Sequence, residues 1–163
     1  VSRVLRLEPL TAEAFAPFGD VVEPPALGDR VHLLATLGGS DGAGQPRLSF
    51  SHAAPLPLPL VATQMERHMR SSQCFVPMDA ARWVVIAAPD AGGRPDAGAL
   101  RGFVARGDQA VNYHRGVWHH PSRVLDRPAR FAVLMWTTGE TPLDEEWADL
   151  PEAVVLEVPL SAA

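Results

Sequence analysis

The stretch that decides the fold is Gly107–Pro121, GDQAVNYHRGVWHHP. Apolar β-formers lie on both sides of Arg115-Gly116, a dipeptide suited to a tight hairpin turn because glycine accepts left-handed backbone there. Ala110–His114 then reads as a strand, and His119 falls three residues past the turn on a returning strand. Upstream, Met65-Glu66-Arg67-His68 ends another such run. Side chains alternate along a strand, so Glu66 and His68 share one face and Arg67 takes the other. Met69–Ser72 turns the chain, and Gln73 opens the next strand, where it can face back toward them. The returning strand that carries His119 is expected to face this first cluster. By the same alternation, at most one of His119 and His120 points inward.

Outward from these two clusters, the apolar runs are short and bounded by turn residues, as 13 Gly and 16 Pro in 163 residues require. Strands are predicted at Val4–Leu7, Val21–Glu23, Val31–Leu34, Arg47–Ser51, Thr63–His68, Gln73–Val76, Trp83–Ala87, Leu100–Ala105, Ala110–His114, Phe131–Trp136 and Val154–Val158. They are rich in Val, Ile, Phe and Trp, which suit a pleated, half-buried surface. Thr11–Ala16 reads as a short helix with Thr11 as its N-cap and Pro17 as its stop, and Asp144–Asp149 as a second helical turn. Gly38–Pro46 and Asp90–Ala99 read as loops. Pro55–Leu60 (PLPLPL) reads as an extended crossover, because proline lacks a ladder donor. Closely spaced short strands in a chain of this length point to a sandwich or jelly-roll barrel.

All 14 basic residues are Arg. The absence of Lys excludes Schiff-base chemistry, a pyridoxal-phosphate anchor and a P-loop lysine. A net charge of −5 without a basic run argues against nucleic acid or a membrane surface as partner. No apolar run reaches the length of a membrane span, and no secretory h-region opens the sequence, so a cytoplasmic setting is expected. Cys74, the single cysteine, reads as a small core residue, as do Phe75, Trp83, Phe103 and Trp118. His32 and His52 read as hydrogen-bonded core histidines. Trp83–Ala88 is apolar on both faces, more than one barrel interior accounts for, so the Pro55–Leu60 crossover or a second subunit is expected to cover the outer face.

Both polar clusters match the spacing of two-motif cupin barrels, whose first motif is HxH(x)4E and second Px-Gxx-H. Glu66-Arg67-His68 occupies the first frame, with Gln73 where cupins place Glu; His114-Arg115-Gly116-Val117-Trp118-His119 occupies the second, with His114 for Pro. More specifically, MERH…SSQCFVPMD, VVIAAPD and LRGFVARGDQAVNYHRGVWHHP resemble the ureidoglycolate lyase family, with NYHRGVWHHP (Asn112–Pro121) close to diagnostic. LTAEAFAPFGDVVE near the start is similar to that family's opening. The resemblance implies an all-β fold: a cupin-type double-stranded β-helix (jelly-roll barrel) with one or two short helices, in one domain over residues 1–163. It further implies a homodimer acting on a small molecule, the cleavage of ureidoglycolate to glyoxylate and urea.

For that reaction the expected catalytic residues are Glu66, His68, His119, His114 and Tyr113. Gln73, Asn112, Arg67, Arg115 and Ser72 are expected to bind substrate. Glu66, His68, Gln73 and His119 could hold one divalent metal (Ni, Mn, Fe or Zn) or grip the substrate head directly; no organic cofactor is expected. The sequence departs from the family's pattern at Leu33, His52, Ser71 and Met135-Trp136, each replacing a polar, cationic or Gly position. A related cupin lyase or hydrolase with another small substrate, or a non-catalytic metabolite-binding cupin, are the alternatives.

Overall fold

The computed structural model describes residues 2–33, 37–38, 44–55, 59–137 and 144–159. Its elements are β1 (Arg3–Arg6), β2 (Glu8–Pro9), α1 (Ala12–Phe15), β3 (Gly19–Val22), β4 (Gln45–Ala53), β5 (Leu60–Arg67), β6 (Gln73–Pro77), β7 (Arg82–Ala88), β8 (Arg101–Arg106), β9 (Ala110–Tyr113), β10 (Trp118–His119), β11 (Arg123–Val124), β12 (Ala129–Thr137) and β13 (Glu146–Glu157). A 3-10 turn at Ala97–Ala99 precedes β8, capped by the Asp96 carboxylate. The Thr11 hydroxyl accepts from the Ala14 amide at 3.1 Å and starts α1, as expected of an N-cap.

The strands form two sheets. Eight strands run in the order β1-β13-β5-β10-β7-β8-β2, with β11 beside β7, and five in the order β3-β9-β6-β12-β4. The facing sides enclose a core of Phe15, Phe75, Trp83, Val85, Phe103, Val111, Tyr113, Phe131 and neighbours. This is the expected jelly-roll barrel. The larger sheet also curls on itself, because β1 and β2 are continuous in sequence yet pair with β13 at one edge and β8 at the other. Its curled side encloses a second core of Leu7, Leu60, Met65, Val84, Ile86, Trp118, Val154 and Leu156. Gly102 permits the closure: a side chain there would meet the Leu7 Cδ2 at 2.5 Å.

The second core corrects the reading of Trp83–Ala88. Val84 and Ile86 are each 1 % exposed under the chain's own β1, β5 and β13, so the outer face of β7 needs no second subunit. Leu60 joins that core, while residues 56–58 of the expected crossover lie outside the described residues.

Four further expectations change. The helical turn at Asp144–Asp149 is instead the start of β13, because Glu146–Asp149 pair in register with Gln64–Arg67 of β5, and tertiary pairing overrides local propensity. Pro151 is tolerated there at a register shift between Asp149 and Val154. Val31–Leu33 form no strand, Leu34 being outside the described residues along with 39–43 of the Gly-rich loop. His32 and His52 are exposed rather than core. Arg115-Gly116 makes a tight turn, Gly116 at φ 77°, but not a hairpin: β9 and β10 belong to different sheets, so the turn is a corner of the barrel.

Candidate active site

That corner brings the two sequence clusters together. The Gly116 amide donates to the His68 carbonyl at 2.8 Å, and His119 lies directly opposite Glu66 in the β10–β5 ladder. Alternation does the rest: Trp118 enters the second core, while His119 turns into the barrel beside Glu66. Glu66, His68 and His119 are 8 %, 4 % and 1 % exposed. They are the one His/Cys/Asp/Glu group among the described residues whose ligand atoms converge, all within 4.8 Å of one another.

Hydrogen bonds fix which ring nitrogen of each histidine faces the others. His68 Nδ1 lies against the Asp144 carbonyl, and His119 Nδ1 against the Val117 carbonyl at 3.0 Å. A carbonyl only accepts, so each Nδ1 carries a proton, and in the neutral ring each Nε2 presents a lone pair. His119 Nε2 is 2.8 Å from Gln73 Oε1 and 3.5 Å from Glu66 Oε1, while His68 Nε2 is buried without a partner. With both rings neutral, acceptors would face acceptors. Turning the Gln73 amide end for end would satisfy His119 alone and leave Glu66 and His68 uncompensated. A cation, either a second proton or a metal ion, would complete the cluster, and its N and O donors with carbonyl-anchored imidazoles could hold a divalent ion.

Burial pushes the Glu66 carboxyl up, but a second proton on His119 lets that ring donate to it, and this hydrogen bond and charge, with the fields of His68 and His120, hold it below the ordinary Glu value. Burial and then the charge of His119 push His68 down, so its neutral form is favoured. His120 is buried as well, its Nδ1 against the Pro121 carbonyl, and burial likewise lowers its pKa. Both neighbouring histidines are thus inside, because β10 ends at His119 and strict alternation ends with it. Only His119 belongs to the cluster.

The other expected site residues separate into groups. Tyr113 is buried and stacks on His119, centroids 4.2 Å apart at 15°, so it packs the imidazole from behind. Burial and then the Glu66 charge raise its phenol far above the ordinary value, which disfavours its ionisation. Asn112 and His114 do not reach the cluster: both bond Asp20, at 3.0 and 3.1 Å, on the opposite side of the smaller sheet from Val111 and Tyr113. Arg67 lies 4.4 Å over the Trp118 ring and pairs with Asp90 and Glu146, each at 2.7 Å. Ser72 is buried and accepts from the Gly38 amide, and Arg115 is exposed at its turn.

A cavity of about 380 Å³ opens beside the cluster, lined by Glu66, Gln73, Phe75, Met135 and a polar set not singled out in the sequence: Arg47, Ser49, Ser51, Ser122 and Arg123. The signal for the first three was the alternation of β4, where Arg47, Ser49 and Ser51 share a face opposite Leu48 and Phe50. Asp144 was likewise missed. Its carboxylate accepts from the amides of Met69, Arg70 and Ser71, and its carbonyl orients His68.

Known proteins resemble this chain along nearly its whole length. The family model described as ureidoglycolate lyase matches residues 2–157. A protein named ureidoglycolate lyase from Burkholderia cepacia is 41 % identical over 160 residues, covering 89 % of each chain. One so named from Pseudomonas syringae pv. tomato is 35 % identical over 164 residues, 95 % of this chain and 96 % of its own. Among solved structures, a dTDP sugar isomerase from Desulfovibrio desulfuricans superposes with a TM-score of 0.50 over 80 % of this chain and 82 % of that one, at 19 % identity, a likeness of fold alone. With the match running from residue 2 to 157 and taking in both motifs that build the Glu66–His68–His119 cluster, the chain belongs to the ureidoglycolate lyase family.

Proposed function

We propose that the protein is a lyase that cleaves ureidoglycolate to glyoxylate and urea. The observation that carries the reading is the Glu66–His68–His119 cluster at the wall of an open cavity, in a chain of this family. The reaction breaks the O–H bond of the substrate hydroxyl, forms the aldehyde C=O, and breaks the C–N bond as the departing nitrogen gains a proton. Proton count is unchanged and no co-reactant is needed.

Of the three clustered residues, Glu66 is the one that lines the cavity. The neighbouring histidines keep it ionised at neutral pH, so its carboxylate oxygen takes the hydroxyl proton and, as the acid, returns it to the urea nitrogen. His68 and His119, locked by their Nδ1–H bonds, flank the carboxylate, and His119 Nε2 lies 3.5 Å from it. Glu66, His68 and His119, with the Gln73 amide oxygen beside them, would hold a divalent ion such as Ni, Mn, Fe or Zn, which would lower the pKa of a hydroxyl bound next to it. Tyr113 and His114 do not line the cavity, which leaves proton delivery to Glu66.

The reading includes a homodimer. Among the described residues β4 is an edge strand of the smaller sheet, and it carries Leu48 and Phe50, 59 % and 68 % exposed, on the face away from the cavity. An unpaired strand edge with large apolar side chains is a template for a second copy. Sedimentation equilibrium at micromolar concentration is expected to return a dimer; a 17.5 kDa species would contradict this.

Incubation of purified protein with ureidoglycolate tests the activity, with glyoxylate and urea followed together. Equimolar release above the non-enzymatic rate is expected. No release above that rate would refute the assignment and favour a binding role for the same cavity.

A further inference from the structure

An α-hydroxy acid brings a carboxylate into a cavity that already holds the Glu66 carboxylate, so the wall must supply positive charge. The arginines inside the two motifs do not. Arg67 is paired with Asp90 and Glu146 on the far face of β5, and Arg115 projects from its turn into solvent. The cavity is lined instead by Arg47 and Arg123. They come from different sheets, Arg47 from β4 and Arg123 from β11 beside β7. The Nε of each is buried without a hydrogen-bond partner. Among the described residues neither guanidinium meets a carboxylate. Arg47 reaches only the Met135 sulfur, at 3.5 Å, and Arg123 the carbonyl of its neighbour Ser122, also at 3.5 Å.

A half-buried guanidinium whose Nε is shut off from water without a partner carries a cost, and two facing one cavity add their repulsion. An anion that enters between them relieves both. Arginine's planar fork matches a carboxylate by paired N–H···O bonds, which a neutral amide cannot reproduce. We propose that Arg47 and Arg123 form a clamp for the carboxylate of an α-hydroxy acid. The clamp draws that end of the ligand away from Glu66 by charge and leaves the hydroxyl-bearing carbon to it. Neither His52 nor Trp136 bears on this end of the site: His52 is exposed, and Trp136 follows Met135, whose side is the one that lines the cavity. This assignment rests on the reading that the cavity takes ureidoglycolate or a close relative, but not on its cleavage.

The test compares glycolate with glycolamide, which differ only in carboxylate against neutral amide, by calorimetric titration of the wild type and of Arg47→Gln, Arg123→Gln and the double variant. The wild type is expected to prefer glycolate by about tenfold or more, the usual range for a charge-assisted hydrogen bond. Each single substitution should shrink that ratio and the double should abolish it, with melting curves confirming that the variants fold; if the double fails to fold, the single variants decide. A glycolate preference that survives in folded variants, or no preference in the wild type, overturns the clamp. An arginine-dependent preference in a protein that releases no glyoxylate would support the clamp while refuting the lyase reading.

Discussion

Glu66 and Arg67 are neighbours on β5 and project to opposite faces, where charge is handled in opposite ways. On the outer side Arg67 is matched: it stacks over Trp118 and meets Asp90 and Glu146, and Trp118 in turn donates its indole N–H to Asp90 at 2.9 Å. The guanidinium and the indole N–H there both meet carboxylates. On the inner side Glu66, His68 and His119 would, with neutral rings, point lone pairs at one another, and His68 Nε2 is buried without a partner. A folded chain keeps such an arrangement only at a cost in stability, and functional sites are where that cost is met. The lesson is that compensation, more than residue type, separates a structural polar cluster from a reactive one.

The largest predicted effect falls on the inner face. His119→Asn removes the imidazole that faces both Glu66 and Gln73, and glyoxylate release is expected to fall about 100-fold or more, the scale of a lost acid–base assembly. A smaller loss would move the reactive centre elsewhere. Asp144→Ala acts one step back: it strips the acceptor from the Met69–Ser71 amides, so the loop that orients His68 loosens. A drop of about tenfold in kcat, with KM for ureidoglycolate little changed, is expected from this positioning role; an unchanged kcat would detach Asp144 from the site.

Acidification offers a subtler probe. Burial lowers the pKa values of His68 and His120, so below the ordinary value of 6.5 the unfolded chain binds more protons than the folded one. Stability in chelator-treated protein should therefore fall as pH drops from 6.5 toward the folded-state values. Glu66 has its pKa lowered too, and its contribution, present above the ordinary Glu value, is lost as pH falls through the depressed one. His68→Gln should flatten the first decline in melting temperature; a wild-type curve level from pH 7 to 5 would contradict the burial argument.

Much of this was legible in the sequence. The spacing of Glu66, His68, Gln73 and His119 placed four side chains that the structure brings together, because alternation along strands and a Gly-bearing turn leave little freedom. The arginines were not legible. Arg67 and Arg115 lie inside the motifs, whereas Arg47, and Arg123 just beyond Pro121, are brought to the cavity by strand pairings with distant parts of the chain. On β4 the alternation itself could be read, but its polarity is inverted: Arg47, Ser49 and Ser51 face the cavity, and Leu48 and Phe50 face out. Glu146–Asp149 had helical local character and became strand through pairing with β5.

The contrast between the two faces of β5 is tested most directly by assaying Glu66→Gln and Arg67→Met side by side for glyoxylate release and for thermal midpoint. Glu66→Gln is expected to fold with a midpoint equal to or above the wild type, since it removes a buried charge, and to lose nearly all activity. Arg67→Met is expected to lose about 1 kcal/mol of stability with its stacking on Trp118, yet to keep most of its turnover at temperatures where it is folded. An active Glu66→Gln protein, or a fully stable Arg67→Met protein without activity, would contradict the account.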